Sequence, residues 1–231
     1  MATRPIFTAE KSSLGVKKIN IDFNWSPGMS KVQKQKSIDA LHSEAKKQGI
    51  TNILEISSKS KLDLGVQLSA FNLSFETKKG IEVSVESAFQ GSKVFEHGGP
   101  YSDLLYKSSR EAKKDPRIRE SGNLKYFQLL NKTFPINPRT YFYDWLYINT
   151  LNQPINKHLA DEIMEYEAFT DIEFNPDKSI NCQAYSAALY VSLKVNKQLD
   201  FVLASQENFL QLLKDSYTQK DQKILLQQQL L

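Results

Sequence analysis

Five aromatic side chains occupy seven consecutive positions: Tyr141, Phe142, Tyr143, Trp145 and Tyr147. In a helix these rings point in every direction, and a helix that is apolar all round belongs inside a protein. Pro138 and Pro154 bracket the segment, so Asn137 to Thr150 reads as a buried helix with the rest of the chain packed around it. The chain has the size to do this. Its 231 residues, 40% apolar and 24% charged, are ordinary for a globular protein with a substantial core.

The flanking sequence supplies further elements. Val16 to Trp25 alternates (Val16, Ile19, Ile21, Phe23, Trp25) and reads as a strand. Ser30 caps a helix that runs to about Gln48 and stops at Gly49. Ile50 to Ser57 reads as a second strand, followed by a polar loop from Ser57 to Lys61. Gln67 to Phe75 and Ile81 to Ser84 flank Lys78-Lys79-Gly80 as a hairpin. Ser102 or Asp103 caps a helix to Lys114, and further helices cover Asn156 to Tyr166, Ile180 to Val195 and Ser205 to Leu231. The last carries Phe209, Leu210, Leu213 and Tyr217 as an apolar stripe suited to a partner or a second copy. The expected fold is α+β: one helix-rich domain over residues 1–231 with a few short strands near its front.

Several function classes recede on composition alone. A net charge of +4 tolerates a polyanionic partner without demanding one. Cys182 is the only cysteine, which rules out an intramolecular disulfide and favours a reducing compartment. His42, His97, His158 and Cys182 lack metal-ligand spacing. No apolar run approaches membrane-spanning length, and Met1 to Pro5 lacks the apolar run of a signal peptide. The expectation is a soluble cytoplasmic protein with neither metal nor cofactor.

The chemistry concentrates in residues 85–97. Taken as one helix, Val85, Ala88, Phe89 and Phe95 share an apolar face, and Glu86, Gln90, Lys93 and His97 a narrow polar stripe. A carboxylate beside an amine can polarise water or keep the amine near neutrality for attack. The plain alternative is a solvated face, since Glu and Lys are good helix formers. Trp25 and Trp145 are each either stacking platforms or core residues, with the core favoured for Trp145.

The run Ser84-Val85-Glu86-Ser87-Ala88-Phe89-Gln90-Gly91-Ser92-Lys93-Val94-Phe95 resembles the signature of the NADAR (YbiA-like) family of ADP-ribose-handling domains. Other landmarks follow in the family's order: Ser57-Ser58, Ser69-Ala70-Phe71, Glu111-Ala112-Lys113 with Arg117, Asn152-Gln153-Pro154, Asp171-Ile172-Glu173-Phe174 and Asn181-Cys182-Gln183-Ala184. The resemblance spans roughly residues 50–195, leaving a strand–helix extension at 1–49 and a helical one at 196–231. The whole chain is most similar to NADAR antitoxins paired with DarT-type toxins, which attach ADP-ribose to DNA bases.

That resemblance implies hydrolysis of an N-glycosidic bond, here between ADP-ribose and guanine in DNA, with a DarT-type toxin as partner. It makes Glu86 the catalytic carboxylate, Asp171 the second acid, and Lys93 either a phosphate clamp or a nucleophile. Substrate contacts fall to Ser57, Ser58, Ser69, Asn72, Phe89, Gln90, Phe134, Phe174 and Asn181. Ala70 stands where the family has Asn, so Asn72 is the candidate to replace its hydrogen bonds. Phe174 stands for Trp with no Gly after it, and Phe134-Pro135 occupies a position that is often Trp, where a ring stacks on the base. Two other functions fit the same residues: an N-glycosidase for a small phosphorylated ribosylamine, and an antitoxin that only binds its toxin.

Overall fold

The computed structural model describes residues 1–176, 179–214 and 217. The first two strands, β1 (Ala2–Ala9) and β2 (Val16–Phe23), form an antiparallel hairpin paired from Ala2↔Phe23 to Ala9↔Val16. Sequence reading expects β2 and misses β1, whose Pro5, Ile6 and Phe7 are buried. Helix α1 (Lys31–Lys47) begins where Ser30 accepts the Gln33 N–H. It ends before Gly49, whose φ of +81° suits glycine. Strand β3 (Ile53–Glu55) and helix α2 (Asp63–Gln67) follow. Strands β4 (Ser74–Glu76) and β5 (Glu82–Ser84) make the expected hairpin.

The helix read across residues 85–97 is much shorter. Helix α3 spans Val85–Gly91, and β6 (Lys93–Phe95) follows at once. Two features end it. The Ser92 hydroxyl donates back to the Ala88 carbonyl at 2.6 Å, and Gly91 lies against the Tyr101 backbone. Lys93-Val94-Phe95 then pairs with β7 (Leu124–Leu129), which in turn pairs with β8 (Lys132–Pro135). Long-range pairing overrides a helical pattern here. His97 consequently leaves the polar stripe and lies exposed in a turn.

Between β6 and β7 a 3₁₀ turn (Ser102–Tyr106) leads to α4 (Ser109–Lys114) and α5 (Arg117–Glu120). The cap of α4 is Ser108, not Ser102 or Asp103, and Glu111 closes a capping box with it. The aromatic segment forms α6 (Tyr141–Leu151), in which every residue but Asn149 is buried. Helix α7 (Lys157–Glu162) and strand β9 (Ala168–Thr170) lead to α8 (Gln183–Val195) and α9 (Leu199–Ala204). A further helical stretch covers residues 206–214.

Strand order in the main sheet is β2-β1-β9-β3, with β3 and β9 parallel and the other pairs antiparallel. One face meets α1 through Ile6, Ile21, Phe23, Ile38, Leu41 and Ala168. The other meets a larger core built on α6 and α8. Ser186 of α8 donates to Asp144 at 2.6 Å, and Tyr217 donates to the other carboxylate oxygen at 3.3 Å. The stripe assigned to a partner is therefore internal: Phe209, Leu213 and Tyr217 are buried, and the first and last pack on the Tyr141 ring. The rest of that expected helix, 215–216 and 218–231, lies outside the described residues. Among the described residues no helix is long and apolar enough to cross a membrane.

Candidate functional site

Helix α3 carries the first wall of the site. Ser84 caps it by accepting the Ser87 N–H, and the Ser87 hydroxyl donates to the Lys107 carbonyl, tying the helix to the approach of α4. Glu86 lies in the first turn, where the helix dipole favours a carboxylate. It is only 6% exposed, and Gln90 only 7%, so this polar stripe is no solvated face. Gln90 donates its amide N–H to Glu86 at 2.9 Å and accepts from the Lys93 ammonium at 2.7 Å. Lys113 of α4 reaches Glu86 at 3.7 Å. The helix break leaves this arrangement intact, because β6 returns Lys93 to the end of α3. Gly99, at φ +90°, makes that return possible: a Cβ there would meet the Lys93 carbonyl at 2.1 Å.

Aromatic rings floor this wall. The Lys93 ammonium lies 4.7 Å above the Phe89 ring, and that ring packs against Phe127, Phe142 and Tyr143. Lys113 lies 5.0 Å above Phe71. Burial lowers the Lys93 amine to about 8; Glu86 opposes that fall and Lys113 adds to it. A larger share of Lys93 is therefore neutral near pH 7 than of an exposed lysine.

The second wall joins β3 to the end of β9. Asp171 is buried, and its Oδ1 accepts the N–H groups of Glu173 and Phe174 at 3.0 and 3.2 Å. Glu55, unmarked by any sequence motif, lies beside it. Glu55 accepts the Ile172 N–H at 2.8 Å and the Thr170 hydroxyl at 2.7 Å. Burial, and then the charge of Glu55, push Asp171 well above the usual carboxylate range; burial likewise raises Glu55. Two such acids resist ionising together. Gly65 of α2 closes over this corner, since a Cβ there would meet the Glu55 carbonyl at 2.0 Å.

Behind the pair, His42 of α1 hydrogen bonds to the Thr170 hydroxyl oxygen at 2.8 Å. Thr170 spends its proton on Glu55, so the imidazole Nε2 donates. Burial lowers His42 to about 4, with help from Lys46, so it is neutral near pH 7.

Tyr143 couples the two walls. Its buried phenol is raised first by burial and then by Glu86, Tyr147 and Asp171. Backbone staples hold the corner together. Gln183, at the start of α8, donates to the Ile56 carbonyl at 2.6 Å and accepts the Ala70 N–H at 2.7 Å. The Ala70 carbonyl accepts the Glu86 N–H at 2.8 Å. Position 70 thus works through its backbone, where an Asn side chain is not required.

The structure brings together Glu86, Gln90, Lys93 and Phe89 on one wall and Asp171 with Phe174 on the other. Other expected residues turn elsewhere. Ser69 donates to Val66, and the Asn72 amide donates to Val66 and Ser69, so Asn72 completes a local turn. Ser57 is the exception: its buried hydroxyl donates to Glu55 on the second wall and accepts the Lys59 N–H, while Ser58 is exposed. Phe134 is fully buried, with Phe142 and Trp145 ring centroids both at 4.7 Å, so it cannot stack on a base. Asn181 keeps a buried Oδ1 without a hydrogen-bond partner among the described residues. Sequence reading misses Glu55, His42, Tyr143 and Gln183 as site-builders. Glu55 stands out as an acid between apolar strand residues, and Gln183 lies in the landmark Asn181–Ala184; His42 and Tyr143 carry no such signal. Among the described residues no cluster of His, Cys, Asp or Glu is arranged to hold a metal.

The model of the family described as DarT1-associated NADAR antitoxin matches residues 2–223, which includes every residue of both walls. No curated protein matches the chain.

Proposed function

Because the chain belongs to the DarT1-associated NADAR antitoxin family, we propose that it removes ADP-ribose from guanine in DNA by hydrolysing the N-glycosidic bond, and so counters a DNA-modifying toxin. The observation that carries this reading is the buried Glu86, bonded to Gln90 and paired with Lys113, with Asp171 beyond Tyr143. Cleaving a bond between ribose and a base builds positive charge on the sugar. Carboxylates in a buried site stabilise that charge far better than water does. Glu86 takes the proton of the attacking group. Asp171, next to Glu55, orients the ribose hydroxyls. Phe89 and Phe174 supply apolar contact to the sugar and base.

Lys93 fits two roles, and its lowered proton affinity favours one. A phosphate clamp works best as a full cation, whereas a nucleophilic amine needs a neutral fraction at working pH. In this reading the Lys93 amine attacks the anomeric carbon and loses its proton to Glu86, and the guanine nitrogen leaves with its bonding electrons and takes a proton from water. Ring opening gives a Schiff base that water hydrolyses.

Incubating the protein with an oligonucleotide bearing ADP-ribosylated guanine tests the reading. The wild type releases ADP-ribose, and Glu86→Gln lowers the rate by roughly 10²–10⁴-fold. A folded wild type that leaves the adduct in place overturns it. Protection of toxin-expressing cells by Glu86→Gln, undiminished, points instead to neutralisation by binding alone.

A further inference from the structure

Charge is not spread evenly over this protein. Residues 107–119 hold six basic and two acidic side chains, an excess of four that equals the net charge of the whole chain. The acids within it are already engaged. Glu111 folds back onto Ser108 in the capping box of α4, and Asp115 is held by Arg117, which also pairs with Asp103. Lys107, Arg110 and Lys114 are exposed and take part in no ion pair among the described residues. Arg110 and Lys114, four apart, share one side of α4, while Ser109 and Ala112 face inward; Lys107 precedes the Ser108 cap on extended backbone. Immediately before them stands Tyr106, 63% exposed, an unusual position for so large a ring. Lys113, between Arg110 and Lys114, is the residue that reaches Glu86.

We propose that Tyr106, Lys107, Arg110 and Lys114 form the track along which the single-stranded nucleic acid flanking the reacting nucleotide lies. Exposed cations in a row bind successive phosphates, and an exposed ring beside them gives an unpaired base a face to stack on. The position does the rest. A strand on this face passes the rim of the Glu86 wall and can deliver one nucleotide across Lys113 into the site. A row of cations whose acidic neighbours are already engaged matches the uniform charge of a nucleic-acid backbone better than the mixed charge of a folded protein surface, which favours nucleic acid. This assignment rests on the glycosidase reading for its purpose, but its binding test does not.

Fluorescence anisotropy with an unmodified, labelled single-stranded oligonucleotide tests it directly. The wild type should bind with an affinity that falls with salt. Arg110→Glu with Lys114→Glu should weaken binding at least tenfold and reduce the salt slope by about 1–2. Tyr106→Ala should weaken binding several-fold with the slope unchanged. Charge reversal at the exposed Lys17 and Lys18 of β2 is the control and should leave binding within twofold. The variants should keep wild-type turnover of an ADP-ribosylated guanine nucleoside while KM for the modified oligonucleotide rises. Equal binding by wild type and the Arg110/Lys114 variant overturns the track, as does a wild type that binds no oligonucleotide. So does loss of toxin binding in those variants with oligonucleotide binding intact. If oligonucleotide binding behaves as stated and the nucleoside is not turned over, the track stands and the glycosidase reading falls.

Discussion

The two walls of the site carry the same kind of group and hold it in opposite ways. On α3, Glu86 is surrounded by positive and polar partners: Gln90 at 2.9 Å, Lys113 at 3.7 Å and Lys93 through Gln90. On the β3–β9 side, Asp171 faces a second acid, Glu55, and both are pushed upward by burial. One wall sets a buried carboxylate, through Gln90, next to an amine of lowered proton affinity. The other holds two buried acids whose proton affinities burial raises. Between them lies the buried Tyr143 phenol, whose proton affinity both Glu86 and Asp171 raise.

The sharpest way to break this contrast is Lys93→Arg, which keeps the cation and removes the nucleophile. The expected loss of turnover is about 10³-fold, and borohydride added during wild-type turnover should trap an adduct on Lys93. A variant that keeps most of its rate returns Lys93 to the role of phosphate clamp. Asp171→Asn should cost roughly 10²-fold in the rate of ADP-ribose release, less than Glu86→Gln. The reverse order would exchange the roles of the walls.

Stability sharpens the contrast further. Glu55 and Asp171 have folded-state values raised above their unfolded ones. Their contribution is full below the unfolded carboxylate range and is lost as pH rises through the raised range. Glu55→Gln removes that loss, so its melting temperature relative to wild type should rise between pH 5 and pH 8. His42 runs the other way. Its folded value is lowered from 6.5 to about 4, so its contribution is present above 6.5 and lost as pH falls towards 4. The full difference is about 3 kcal/mol at most. Urea unfolding at pH 7 and pH 4.5 should show a smaller drop for His42→Gln than for wild type.

The contrast also explains what was legible in the sequence. Glu86, Gln90 and Lys93 lie within eight positions, so local spacing brings them together even though the helix breaks at Gly91. Ser30 as a cap, the hairpin around Gly80 and the buried α6 are readable for the same reason: each depends on neighbours in sequence. Glu55 and Asp171 stand more than a hundred positions apart and meet only because β3 pairs with β9. No local pattern carries that. Strand β1, the β6–β8 sheet and the buried fate of Phe134 are products of long-range pairing too. For Phe134, truncation to Ala is expected to cost about 3–5 kcal/mol of stability, with no specific effect on recognition of the base.

Strand mass after reaction tests the central claim, that both walls act on one bond between ribose and guanine, most directly. Wild-type protein is incubated with an oligonucleotide carrying a single ADP-ribosylated guanine, and the strand is weighed by mass spectrometry. The account predicts a strand restored to the mass of unmodified DNA, with free ADP-ribose in solution, and an unchanged adduct with Glu86→Gln. A strand that keeps its adduct under wild-type protein, or that loses guanine along with the ADP-ribose to leave an abasic site, contradicts it.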